Sequence, residues 1–213
     1  MRKFILCFIC LFTVISISGC IEAVDSLTVY SDGSCLESKS LAVSPIIPGS
    51  FDHDEIKAFE KDGYEVRFFS KKDKTDIFIT KRFPSLEEYS SFVSSADRMY
   101  SGKVKCEISE LNLFFLKRIK IRETVAAAEA SRIPAGIGDS VFSEKRTITM
   151  PYEIISSNAD SISGYTALWN IDSSRRANGY VREVVCQYVN YVLIVIAAAV
   201  AGAVLLMLQK RRR

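Results

Sequence analysis

The chain of 213 residues carries 28 Lys and Arg against 25 Asp and Glu, but six of the basic residues sit at its two ends, Arg2, Lys3 and Lys210 to Arg213. The 22 basic residues between them face all 25 acidic ones, a net charge of −3, with no basic run interleaved with aromatics; this excludes nucleic acid as a partner. A single histidine, His53, and cysteines without zinc spacing exclude a His-dyad metal site and a structural zinc site.

The first residues have the layout of a secretory signal: a short basic start, Arg2 and Lys3, then an apolar run from Phe4 to Ile15. Ile17-Ser18-Gly19-Cys20 closes it in the manner of a lipobox. Residues 1–19 are therefore expected to be a lipoprotein-type signal peptide, and Cys20 the lipidated first residue of the mature chain.

Ser26 to Ser31 reads as a strand, Asp32-Gly33 as a tight turn and Ser34 to Val43 as the returning strand, since Asp-Gly between alternating runs is a strong hairpin signal. Ser44 to Ser50, with Pro45 and Pro48, is loop. Asp52 to Asp62 is predicted helical, with Asp52 and Glu55 as a capping box and Gly63 as terminator. His53 lies among Asp52, Asp54 and Glu55, which read as a helix cap and not as a cation site. Tyr64 to Phe69 and Asp76 to Thr80 form a second hairpin around Lys71 to Lys74. Ser85-Leu86-Glu87-Glu88 opens a second helix, on which Leu86, Tyr89, Phe92, Val93 and Ala96 recur at helical spacing.

Lys103 to Ser109 and Leu111 to Leu116 are predicted strands, and Lys117 to Arg122, alternating charge with isoleucine, an edge strand. Val125 to Ala130 is helix-prone, and Arg132 to Ser140 a connection; its Gly136 and Gly138 lack the preceding strand and third glycine of a dinucleotide site. Arg146 to Pro151 and Gly164 to Ile171 are strands flanking a loop, Ser156 to Ser163.

Residues 20–172 are thus expected to form one α+β domain with a mainly antiparallel sheet and two main helices. Residues 173–186 are a polar juxtamembrane linker, with Cys186 at the membrane interface. Residues 187–208 are a transmembrane helix, since Tyr191 to Leu208 carries no charge and is apolar on every side. Residues 209–213 are a basic tail that the positive-inside rule assigns to the cytoplasm, leaving the domain extracytoplasmic.

No catalytic constellation stands out. The serines lack a G-x-S-x-G elbow, and the neighbouring carboxylates Glu87 and Glu88 point in different directions on a helix. No enzyme activity, cofactor or metal is expected. Cys35 and Cys106 can pair in a disulfide or stand as two free buried thiols; their spacing does not choose. Phe68-Phe69 and Phe114-Phe115 are adjacent pairs, and in a strand one member of each faces each side. Either both faces are covered, or one phenylalanine meets a ligand, a partner or lipid. Ala198 and Gly202 make a small-xxx-small pair suited to helix association.

The layout resembles the LppM family of envelope lipoproteins. The shared pieces are the lipobox Cys20, then Leu27-Thr28-Val29-Tyr30-Ser31-Asp32-Gly33-Ser34. A closing segment follows: Ile148-Thr149-Met150-Pro151, Ser157-Asn158-Ala159-Asp160 and Gly164-Tyr165-Thr166-Ala167-Leu168-Trp169, before one membrane helix. The resemblance implies a surface-exposed, non-catalytic α+β domain associated with the cell envelope and its lipids, and it supplies no binding residues. The resulting expectation is a membrane-tethered, non-enzymatic domain that binds an envelope lipid or lipid-like ligand. The alternative is a module that docks a second envelope protein.

Overall fold

A computed structural model of the chain describes residues 21–43, 53–70, 75–95, 104–127 and 142–211. The first described strands are β1 (Ile21–Val29) and β2 (Cys35–Val43), paired from Ile21 opposite Val43 to Val29 opposite Cys35. The Asp32-Gly33 turn closes this hairpin, and the Asp32 carboxylate accepts both the backbone N–H (2.9 Å) and the hydroxyl (2.7 Å) of Ser34. Helix α1 (His53–Lys61) ends at Gly63 and leads into the hairpin β3 (Glu65–Ser70) and β4 (Thr75–Phe83). Helix α2 (Leu86–Ser95) begins where the Ser85 hydroxyl accepts the Glu88 N–H at 3.1 Å. Leu86, Tyr89 and Val93, spaced three and four apart, form its buried face.

Beyond α2 the chain alternates between two sheets. Strands β5 (Val104–Leu113) and β6 (Leu116–Val125) form a long hairpin. They are followed by β7 (Phe142–Thr149), β8 (Ile154–Ser157), β9 (Ser161–Ser163) and β10 (Thr166–Ile171). The short helix α3 (Ser173–Asn178), strand β11 (Tyr180–Val189) and helix α4 (Tyr191–Arg211) complete it. The larger sheet has the order β3-β4-β2-β1-β7-β10-β9 and the smaller one β5-β6-β11-β8. All pairings are antiparallel except β1 with β7.

One apolar core joins both sheets and α2. Leu27, Ile148, Ala167 and Trp169 come from the larger sheet, Ile119, Ile121, Val184 and Cys186 from the smaller, and Leu86, Tyr89 and Val93 from α2. The free edge of β5 is covered by α2: Ser90 donates to the Cys106 carbonyl at 2.6 Å and Ser94 accepts the Cys106 N–H at 3.1 Å. Asn158, where the chain crosses between sheets, accepts the Trp169 indole N–H (3.1 Å) and the Glu183 N–H (2.8 Å). It also donates to the Val181 carbonyl at 2.8 Å.

The α+β, strand-dominated class agrees with expectation, but its layout differs in several places. The described strands form two sheets, not one, and Ser156 to Ser163, expected as a loop, holds the end of β8 and all of β9. Leu111 to Leu116 is not a separate strand: Leu111 to Leu113 end β5, and Leu113 pairs with Leu116, the start of β6, around a turn made of Phe114 and Phe115. The Lys117–Arg122 strand is internal to its sheet, paired with β5 on one side and β11 on the other, so its alternating charges lie on a shared face and not at an edge. The expected linker 173–186 is ordered as α3 and most of β11. Arg182, Val184 and Cys186 recur at strand period on its buried face, and Cys186 is fully buried in the core. The apolar helix accordingly starts later than expected, at Tyr191. Asn190 ends the strand, and its side chain accepts the Leu193 N–H at 3.2 Å as an N-cap.

Candidate functional site

Four strands bring charged side chains into the core at positions in phase with their apolar neighbours. On β6 the inward residues are Ile119, Ile121, Glu123 and Val125; on β7 they include Arg146 and Ile148; on β11, Arg182, Val184 and Cys186; on β2, Cys35 and Glu37. Glu123 is the hub. One of its carboxylate oxygens accepts from Tyr89 (2.7 Å) and Arg146 (2.7 Å), and the other lies 2.9 Å from the Arg182 guanidinium. Arg146 also donates to Asp25 at 2.6 Å and to the Tyr89 hydroxyl at 2.8 Å. Glu37 accepts from Tyr64 at 2.7 Å and faces Lys39 at 3.6 Å.

Burial works against an ionised Glu123, but the two guanidinium groups and the Tyr89 hydroxyl outweigh it and hold the carboxyl at about 2. Burial also opposes the charge on Arg146, yet Asp25 and Glu123 keep it protonated. Glu144 moves the other way, raised by burial and by Asp25. A carboxyl depressed on folding stabilises the fold above its ordinary value of 4.5 and loses that contribution as pH falls toward 2, whereas Glu144 acts with the opposite sign. Thermal melts followed through Trp169 emission should therefore show the midpoint dropping steeply between about pH 4.5 and 2. A flat profile over that window would show that Glu123 is not ionised in the core.

The cluster borders a cavity of ≈ 20 Å³ lined by Tyr89, Val93, Val104, Glu123, Arg146 and Arg182, among others. That is room for a water molecule, against the roughly 300–1,000 Å³ of a small-molecule pocket. Cys35, Cys106 and Cys186 are free buried thiols, so no disulfide joins Cys35 on β2 of the larger sheet to Cys106 on β5 of the smaller. Burial pushes Cys35 and Cys106 up to about 12, which leaves them protonated and unreactive at neutral pH. The cluster's chemistry is that of a paired, structural polar core.

The predicted aromatic pairs are instead on the surface, and neither sheet face covers them. Phe68 and Phe69 are 48% and 52% exposed, and Phe114 and Phe115 are 81% and 45% exposed. They do not form one site. Phe68 and Phe69 lie on β3, the terminal strand of the larger sheet, where Phe69 meets Phe78 edge to face at 5.5 Å. Phe114 and Phe115 are the turn of the β5–β6 hairpin in the smaller sheet, flanked by the exposed Leu111 and Leu113. This turn adjoins the start of α4, for the Asn190 N–H donates to the Phe115 carbonyl at 2.9 Å.

Helix α4 is the one helix among the described residues long and apolar enough to cross a membrane, over Tyr191–Gln209. Ala198 and Gly202 lie on it four residues apart, both exposed, and a Cβ on Gly202 would meet nothing. Cys20 and the side chain of His53 lie outside the described residues. The buried charges were the site residues that sequence reasoning missed. Their signal was present: a charge in phase with an inward apolar alternation must point inward too.

No protein-family model and no curated protein matches the chain. Among solved structures it is similar to the folded domain of the Mycobacterium tuberculosis LppM protein, determined by NMR, at 13% identity. The match covers 81% of this chain and 92% of that one, with a TM-score of 0.43.

Proposed function

We propose that the protein is a membrane-tethered, non-enzymatic, extracytoplasmic domain that binds an envelope lipid or lipid-like ligand on an open apolar surface. The observation that carries this reading is where its unsatisfied apolar surface lies. The core is closed around paired charges and a water-sized cavity, while large apolar side chains are exposed at the end of the smaller sheet that leads into α4. In this reading α4 is the anchor, Cys20 carries lipid, and the ligand lies against the domain instead of inside it.

A second reading, docking of another envelope protein, is favoured by β3. It is a terminal strand with two half-exposed phenylalanines, and such an edge can accept a partner strand.

A soluble fragment that tests these readings must end after β11, because Val184 and Cys186 complete the core. We expect the fragment Ile21–Asn190, incubated with vesicles of envelope lipid extract, to co-sediment with them and to retain an extractable lipid adduct in native mass spectrometry. Neither sedimentation nor adduct, from a fragment whose Trp169 emission reports a buried indole, would transfer the assignment to the docking module.

A further inference from the structure

The turn of the β5–β6 hairpin has the wrong chemistry for a turn in water. Tight turns use Gly, Asn, Asp, Ser and Pro for their backbone freedom and local hydrogen bonds. Here the two turn residues are Phe114 and Phe115, followed by Leu116 and preceded by Leu111 and Leu113 on one face of β5. Strands β5, β6 and β11 run beyond the shared core at this end, which stops near Ile108, Ile119 and Cys186.

The position of this apolar tip is set by the helix. Leu116 pairs with Val189, and the Phe115 carbonyl accepts the N–H of Asn190, the residue that caps α4. The tip is therefore level with the first turn of the helix. One step back from it are Lys117, above the Tyr152 ring at 5.9 Å, and Arg118, which donates to Gln187 at 3.1 and 2.6 Å. Tyr152 and Tyr188 stack with centroids 5.2 Å apart, and Tyr188 and Tyr191 are exposed. Read from the tip backward, the order is apolar, then tyrosine and basic, with the exposed Asn112 on the face of β5 opposite Leu111 and Leu113. A bilayer interface imposes that order, with apolar side chains in the acyl boundary and tyrosines and snorkelling cations at the headgroups.

We propose that the hairpin tip Leu111–Phe115 is a second membrane contact, inserted into the lipid interface beside α4 and fixing the tilt of the smaller sheet on the bilayer. The proposal rests on the reading of α4 as a spanning helix, and the lipid surface is the occupant because the tip is hydrogen-bonded to the residue where that helix begins.

The test uses the full chain reconstituted in phosphatidylcholine–phosphatidylglycerol vesicles, with acyl chains brominated either near the headgroup or near the bilayer centre. Phe114→Trp reports the tip, Val200→Trp reports the middle of α4, and the parent chain supplies the Trp169 background. We expect headgroup-proximal bromine to lower the Phe114→Trp signal roughly twofold, as for a side chain at the acyl boundary. Val200→Trp should respond to central bromine. Quenching of Val200→Trp with Phe114→Trp unaffected would overturn the tip contact and leave the spanning helix standing. An unquenched but blue-shifted Phe114→Trp would place protein over the tip and overturn the proposal equally. If neither position is quenched, the spanning reading itself fails, and the tip contact with it.

Discussion

Glu123→Ala should destabilise the protein by about 3–5 kcal/mol, the cost of breaking a buried ion pair by removing one partner. Total stabilities are about 5–15 kcal/mol, so this one substitution would bring the chain near the threshold of folding. The reason is geometric. Arg182 and Arg146 are both buried and share the Glu123 carboxylate; Arg146 keeps Asp25 after the substitution, whereas Arg182 is left as a buried charge. Glu123→Gln retains an acceptor for Tyr89 and Arg146 but not the charge, and its effect should be intermediate. Replacing Glu123, Arg146 and Arg182 together by leucine and methionine should cost less than Glu123→Ala alone, because no buried charge is then stranded. Urea unfolding of the full chain in detergent, read through Trp169, ranks the variants. A triple variant less stable than Glu123→Ala would mean that the network contributes net stability and does not merely balance itself.

Gly179→Ala should cost about 2–5 kcal/mol, from backbone strain and from overpacking together. Gly179 joins α3 to β11 at φ 71° and ψ 164°, a conformation essentially reserved for glycine. A Cβ there would stand 2.7 Å from the Val125 carbonyl oxygen and 2.9 Å from the Ala127 nitrogen, both main-chain atoms in or just after β6. Relief requires moving β6 or β11, and both are core strands. Gly164→Ala is the control: its φ is also positive, at 58°, but its Cβ would meet nothing, so only the backbone cost of about 1–2 kcal/mol remains. Equal melting temperatures for the two variants would show that the Gly179 approach relaxes freely.

Among the described residues up to Ser95, the elements were legible because their punctuation is local. Asp32-Gly33 closes the first hairpin, the Ser85 cap starts α2, and Leu86, Tyr89 and Val93 reach the core as their spacing predicts. Three later features depend on tertiary context. Phe114-Phe115 carries no turn chemistry, so its apolar run reads as strand. Tyr180 to Val189 leads into an apolar helix, and its valines merge with that signal until Asn190 is recognised as the break. The pairing of β1 with β7 leaves no mark in either strand, because register across a parallel pair is set by the rest of the sheet. The inward charges were readable in principle: Glu123 keeps phase with Ile119 and Ile121, and Arg146 with Ile148. A preference for charge outside overrode the period.

The parallel pairing of β1 with β7 also sets an order of events during synthesis. Asp25 and Arg146, hydrogen-bonded across these neighbouring strands, are 121 residues apart in the chain. Until Phe142 and its successors have been made, β1 has β2 on one side and an open edge on the other, alternating Leu27 and Val29 with polar residues. Such an edge is a template for pairing with another nascent chain, and long-range pairings of this kind form slowly. The β1 edge is thus unpaired on the growing chain until about two thirds of it has been made, and the closing of β7 on β1 is the step that removes it.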